Sequence, residues 1–234
     1  MVKVIITGSE GLIGSEVSSY LIKKGYEVVR CDLQLGDDLL DENYVKEWFS
    51  KNQADYLVNL YAYNPHVEKD LSKSKISTNL FDISLDSLDH FLKVNLTSLF
   101  CVCREFARNN TTGGIVNISS IYGIVSPLPK LYDKNNEKHI GYALSKSGVV
   151  QLTKYLSAHL APNFRINCIA PGGVDFKPRT TQTKRFKKKY NGRVLLERMM
   201  KVNELNGLIK YLCSSESSYV TGSVISVDGG WTAI

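Results

Sequence analysis

Val2-Lys3-Val4-Ile5-Ile6-Thr7-Gly8-Ser9-Glu10-Gly11-Leu12-Ile13-Gly14 decides the fold. Its first half is apolar and β-branched, as a buried strand is, and its second half carries glycines at positions 8, 11 and 14. Ser15-Glu16-Val17-Ser18-Ser19-Tyr20-Leu21-Ile22-Lys23-Lys24-Gly25 follows with an amphipathic pattern closed by glycine. The whole reads as strand, glycine turn, helix. Gly8, Gly11 and Gly14 would let the backbone turn tightly, approach a pyrophosphate and pack helix on strand, with the helix N-terminus facing the phosphates. Residues 27–32, Glu-Val-Val-Arg-Cys-Asp, supply a second strand ending in an acid about twenty residues on. A carboxylate at Asp32 would accept hydrogen bonds from ribose hydroxyls and repel a 2′-phosphate, which predicts NAD in preference to NADP. Glu10 adds negative charge to the turn, and Arg30 weighs the other way.

The alternation continues along the chain. Asp38-Leu39-Leu40-Asp41 opens a helix through about Lys51, and residues 55–60 repeat a buried-strand pattern. Residues 66–81 are polar and punctuated by serines, a surface excursion. A long helical stretch over 84–109 carries Asn95, and 114–120 is a strand ending in the hydroxyls of Ser119 and Ser120. A connection rich in proline and polar residues leads to a helix over 142–160. A strand over 164–170 runs into Pro171-Gly172-Gly173-Val174; a helix over 204–214 and a strand over 223–227 close the pattern. Strands alternating with helices predict a doubly wound parallel α/β sheet with helices on both faces, one domain over 1–234. Ligands bind such sheets at the carboxyl ends of the strands.

Composition narrows the classes. With 234 residues and 43% hydrophobic content the chain can build one large core. No basic leader or apolar run of spanning length is present, so a cytoplasmic protein without a membrane partner is expected. Cys31, Cys101, Cys103, Cys168 and Cys213 show no ligand spacing, which reads as reduced packing residues, with no metal site. The net charge of +6 is uneven: Lys184, Arg185, Lys187, Lys188, Lys189 and Arg193 fall together after Pro171-Gly172. No nucleic-acid motif accompanies them, so nucleic acid is not an expected partner. They fit either a solvated face within a polar insertion or the rim of a site for a small molecule carrying phosphate or carboxylate.

Tyr142 and Lys146 stand four apart in a helix-compatible run and so share a face. A phenol with an ordinary pKa of about 10 is a poor acid or base, and an ammonium beside it favours the phenolate. Such a pair can exchange a proton with an alcohol or carbonyl. Taken alone, the spacing fits a half-buried aromatic beside a solvated charge better; its weight comes from the rest of the chain.

Thr7-Gly8, Asp38-Leu39, Leu57-Val58-Asn59, Asn95, Ile118-Ser119-Ser120, Tyr142-x-x-x-Lys146, Pro171-Gly172 and Asp228-Gly229-Gly230 occur in an order that resembles the short-chain dehydrogenase/reductase family. The resemblance implies that Tyr142 is the general acid/base and that Lys146 lowers its pKa and holds the nicotinamide ribose. Ser120, with Ser119 as its rival, would donate to the substrate oxygen, and Asn95 would interrupt its helix and hold a water linked to Lys146. It implies cofactor contacts at Gly8, Ser9, Gly11, Leu12, Ile13, Gly14, Asp32, Asp38, Leu39, Asn59, Pro171, Gly172 and Val174, besides Tyr142 and Lys146. A homodimer or homotetramer through the helices over 84–109 and 142–160 is implied as well.

The chain departs from the family pattern at three places. Its glycine turn resembles the longer, sugar-nucleotide branch, and Asn59-Leu60-Tyr61-Ala62 stands where Asn-Asn-Ala-Gly is usual. Twenty-one residues separate Ser120 from Tyr142, enough to form an extra loop on the rim of the substrate pocket. That loop, residues 120–127 and the Val-Asp-Gly-Gly-Trp-Thr-Ala ending look most like oxidoreductases of bacterial surface-glycan and flagellin modification. The expected activity is NAD-dependent interconversion of a secondary alcohol and a ketone on an anionic sugar derivative. The alternatives are a 3-oxoacyl-thioester reductase using NADPH, which Asp32 opposes, and a dinucleotide-binding regulator without catalysis, which the intact Asn95, Ser120, Tyr142 and Lys146 oppose.

Overall fold

In the computed structural model, which describes residues 1–65, 76–132, 137–175 and 184–234, the apolar runs are the strands of one sheet. These are β1 (Lys3–Thr7), β2 (Glu27–Cys31), β3 (Tyr56–Asn59), β4 (Gly113–Ile118), β5 (Phe164–Pro171) and β6 (Val224–Val227). All pair in parallel, in the order β2-β1-β3-β4-β5-β6. The chain leaves β1 for β2 on one side and returns to β3 on the other. That reversal opens a crevice above the carboxyl ends of β1 and β3.

Neighbouring strand residues point to opposite faces, so each strand feeds two cores. Ile5, Leu57, Ile115 and Ile166 pack with Val45 and Phe49 of α2 (Glu42–Lys51), Val102 and Phe106 of α4 (Ser98–Arg108), and Val149 and Leu156 of α5 (Ile140–Leu160). Val4, Ile6, Val58, Val116 and Ile169 face the other way. They meet Val17 and Leu21 of α1 (Leu12–Lys23) and Ile209 and Leu212 of α7 (Asn206–Leu212).

Local chemistry sets the helix ends. Asp41 caps α2 by accepting from Asn43 N at 2.8 Å, so the helix starts after the Asp38-Leu39 pair and not within it. The stretch expected as one helix over 84–109 is three pieces: α3 (Leu85–Leu92), a π-helical turn Lys93–Thr97, and α4. Asn95 lies in that wider turn, a feature that concentrates at functional sites. The basic segment forms α6 (Lys184–Asn191) where a polar insertion was expected. Of the excursion over 66–81, residues 66–75 lie outside the described residues.

A third cluster sits over the carboxyl ends of the sheet. Ile121, Tyr122, Leu131, Tyr190, Val194, Met199 and Trp231 pack there, and the Trp231 ring stacks on Tyr190 at 4.7 Å. Asp228 turns the tail back toward α6 by accepting from Gly230 N and Thr232 N, both at 2.9 Å.

Candidate active site

Gly8 ends β1 at φ +71°, in the left-handed region, and a Cβ there would lie 2.5 Å from the Tyr61 nitrogen. A Cβ on Gly14 would lie 2.0 Å from the Gly8 carbonyl oxygen. Backbone therefore approaches backbone at both positions, and only glycine fits. Gly11 begins α1 without a side-chain cap, which leaves first-turn N–H groups free to meet an anion. Asp32 follows β2, its Oδ2 accepting from Glu10 N at 3.0 Å and its Oδ1 from Gln34 N at 2.8 Å. Arg30 pairs with Glu10 at 3.3 Å.

His139 caps α5 by accepting from Gly141 N at 3.0 Å, which puts Tyr142 in the first turn and Lys146 one turn on. Lys146 Nζ donates to the Ile118 carbonyl at 2.8 Å and lies 5.9 Å from the Tyr142 ring centroid. Ser119 Oγ donates to the Lys146 carbonyl at 2.7 Å, so that hydroxyl is committed to backbone. Ser120 accepts from Tyr122 N at 3.2 Å and stands near enough to the Tyr142 hydroxyl to pull its pKa down. Burial raises the Tyr142 phenol above its ordinary value, against a downward pull from Ser120. Burial lowers Lys146 to about 8. Lys146 is not among the causes of the Tyr142 shift, whose direction is upward where the pair was expected to lower it.

Gly8, Gly11, Leu12, Ile13, Gly14, Asp32, Ser120, Tyr142, Lys146, Pro171, Gly172 and Val174 all line one cleft of about 430 Å³, a small-molecule volume. Other expected contacts lie outside its walls. Asn59 is in register with Thr7 and Asn117, accepts from Thr7 Oγ1 at 2.9 Å and donates to Asn117 Oδ1 at 2.9 Å. Asn117 continues to Thr153 Oγ1 at 3.1 Å, so this ladder ties three strands to α5 inside the core. Ser9 is buried against Glu10, Asp38 accepts from Leu40 N on the surface, and Leu39 packs in the α2 core. Asn95 holds the segment beside the cleft instead of lining it. Its amide bonds both backbone atoms of Tyr63, and its Nδ2 also reaches Ser145 Oγ at 3.1 Å.

Tyr61 is one of the cleft's walls, with its hydroxyl bonded to Ser98 Oγ at 2.8 Å and its side chain packed against the core that holds α2 and α4. The basic cluster is the larger correction. Phe186 and Tyr190 of α6 line the cleft, but its cations do not. Lys187 pairs with Asp175, Lys189 donates to the Lys130 carbonyl at 2.6 Å, and Arg193 donates to the Ile234 carbonyl at 2.9 Å. Sequence reasoning also missed Tyr122, Tyr132, Lys138 and Met199 as walls. Phe186 and Tyr190 were readable, since they stand four apart on one helix face.

A family model described as enoyl-(acyl carrier protein) reductase matches residues 3–232. The chain is 31% identical to the 3-oxoacyl-[acyl-carrier-protein] reductase FabG of Aquifex aeolicus, over 97% of this chain and 86% of that one. It is 28% identical to nodulation protein G of Rhizobium meliloti, over 99% of this chain and 97% of that one. A short chain dehydrogenase of Leptospira borgpetersenii with bound NAD+ superposes with a TM-score of 0.86 at 27% identity, covering 99% of this chain and 92% of that one. With the glycine turn and the serine, tyrosine and lysine gathered on one cleft, and a family model running nearly end to end, the chain belongs to the short-chain dehydrogenase/reductase family of enzymes.

Proposed function

We propose that this enzyme interconverts a secondary alcohol and a ketone with NAD as its preferred cofactor. The observation that carries the reading is that Ser120, Tyr142 and Lys146 open on the same cleft as the glycine turn and Asp32. The uncapped start of α1 and the Asp32 carboxylate fit the pyrophosphate and ribose of a dinucleotide. When bound, a nicotinamide dinucleotide supplies the hydride donor or acceptor. Tyr142 holds its proton at the phenol oxygen at neutral pH and can give it to a ketone oxygen. Ser120 Oγ is placed to donate to the same oxygen as charge develops on it. Lys146 keeps an ammonium one helical turn below at pH values under about 8.

Three observations support NAD. Asp32 lines the cleft, Arg30 is occupied by Glu10, and the Leptospira borgpetersenii relative has NAD+ bound. The aromatic walls Tyr122, Tyr132, Phe186 and Tyr190 suit the C–H faces of a sugar, in keeping with the resemblance to glycan-modifying oxidoreductases. A second reading, reduction of a 3-oxoacyl thioester, is favoured by the similarity to the Aquifex aeolicus reductase. Exposed Phe100, Leu144 and Tyr155 on α4 and α5 support a homo-oligomer, and five free cysteines fit a reducing, cytoplasmic setting.

Purified enzyme should be assayed with NAD and NADP against hydroxy sugars, sugar phosphates and 3-hydroxyacyl thioesters. NAD-linked turnover of a secondary alcohol is the expected result. Binding of NAD without turnover of any alcohol would leave a dinucleotide-binding protein and overturn the proposal.

A further inference from the structure

Lys138, four residues before Tyr142, puts a second ammonium into the cleft. Its Nζ donates to Asn64 Oδ1 at 2.6 Å and lies 3.9 Å from the Tyr142 ring centroid, over the ring face. Around it stand Asn64 from the segment after β3, Tyr122 and Tyr132 from the long connection, and Tyr142 and Lys146 from α5. Among the described residues no carboxylate pairs with it, and the one cation nearby, Lys146, repels it. Burial and that repulsion lower Lys138 to about 7.

A half-buried cation given only a neutral amide and an aromatic face is partly desolvated with nothing nearby to compensate it. The cost is recovered when an anion enters. Of the described residues lining the cleft, Lys138 and Lys146 alone are cationic, and Lys146 is tied to the Ile118 carbonyl. The α6 cations are not among the cleft's lining residues. Resting on the oxidoreductase reading, we propose that Lys138 selects secondary alcohols and ketones that carry a carboxylate or phosphate close to the reacting carbon. Ser120 and Tyr142 act on the reacting oxygen, and Lys138 stands on the Tyr142 ring face, so one small substrate can reach all three.

The test uses the enzyme with NAD+ bound and measures binding calorimetrically for two pairs of probes. One pair is 3-hydroxybutyrate and its methyl ester; the other is glycerol 3-phosphate and glycerol. The charged member of at least one pair should bind about tenfold or more tighter, as a charge-assisted hydrogen bond allows. Which pair shows the preference tells carboxylate from phosphate. Lys138→Gln should bring the ratio to within about twofold, and Lys138→Arg should keep most of it. The Lys138→Gln midpoint of thermal unfolding should match or exceed wild type, since a half-buried charge without a counter-charge is removed. Equal binding within both pairs by the wild type, binding of neither charged probe, or a preference that survives Lys138→Gln would overturn the proposal. Turnover is read separately: a charge preference lost in Lys138→Gln without oxidation of any alcohol would keep Lys138 as an anion site and overturn only the oxidoreductase reading.

Discussion

Asn95 grips the backbone of Tyr63 with both ends of its amide, Oδ1 accepting from Tyr63 N at 2.6 Å and Nδ2 donating to Tyr63 O at 3.1 Å. The π-helical turn is what brings Asn95 out of the α3–α4 line to do so, and the bond to Ser145 extends the clamp to the neighbour of Lys146. Asn64, which holds Lys138, is the next residue along. Losing the clamp removes two hydrogen bonds to the part-buried Tyr63 backbone and one to Ser145. Asn95→Ala is expected to lower stability by about 1–3 kcal/mol in urea unfolding and to lower kcat with it. Unfolding and turnover both at wild-type level would show that the clamp does not matter.

Gly14 has no room for a methyl group, because its Cβ would lie 2.0 Å from the Gly8 carbonyl oxygen. Gly14→Ala should force α1 off β1 and lose about 1–3 kcal/mol of stability. Cofactor affinity should fall at the same time, as followed by quenching of intrinsic fluorescence. A variant that binds NAD as tightly as wild type would contradict the phosphate-cradle assignment.

Asp32 accepts two backbone hydrogen bonds and still faces the cleft, while the next residue, Leu33, is 74% exposed. Asp32→Ala combined with Leu33→Arg removes the repulsion of a 2′-phosphate and adds a cation near it. The ratio of kcat/KM for NADP over NAD should rise by about tenfold or more. A wild type that already prefers NADP would contradict the assignment of Asp32.

The direction of the pKa shifts fixes the pH behaviour. Reduction of a ketone takes the Tyr142 proton, and this phenol sits above its ordinary value of 10.0. Lys146 discharges earlier, at about 8. The rate of reduction should therefore decline first between about pH 7 and pH 8, as Lys138 and then Lys146 lose their charges, and fall again in strong alkali as Tyr142 ionises. Oxidation needs the phenolate and should rise with pH over the upper part of that range. Stopped-flow rates in both directions across the range test this, and a reduction rate that climbs toward alkaline pH would be inconsistent with it.

The features readable in the sequence are those set by local spacing. The strand, glycine turn and helix of residues 3–23 and the shared face of Tyr142 and Lys146 depend on neighbours along the chain, and the structure has them in place. Asn59 was misread because its role comes from register. Only when β1, β3 and β4 pair does it meet Thr7 and Asn117, an arrangement no local pattern encodes. Lys138 was hidden for a similar reason: in the run Asp-Lys-Asn-Asn-Glu-Lys it looks like one more solvated charge, and its setting is made by Asn64, distant in sequence. The cations of α6 drew attention that belonged to Phe186 and Tyr190, since charge density says nothing about which side of a helix faces a site.

Every catalytic role proposed for the cleft turns on Tyr142 exchanging the proton during alcohol–ketone interconversion. Tyr142→Phe keeps the ring that packs under Lys138 and removes only the hydroxyl that meets Ser120. Turnover of the identified substrate should drop by at least ~10² while the dissociation constant for NAD stays within about twofold of wild type. Turnover close to wild type in the folded variant would contradict the account.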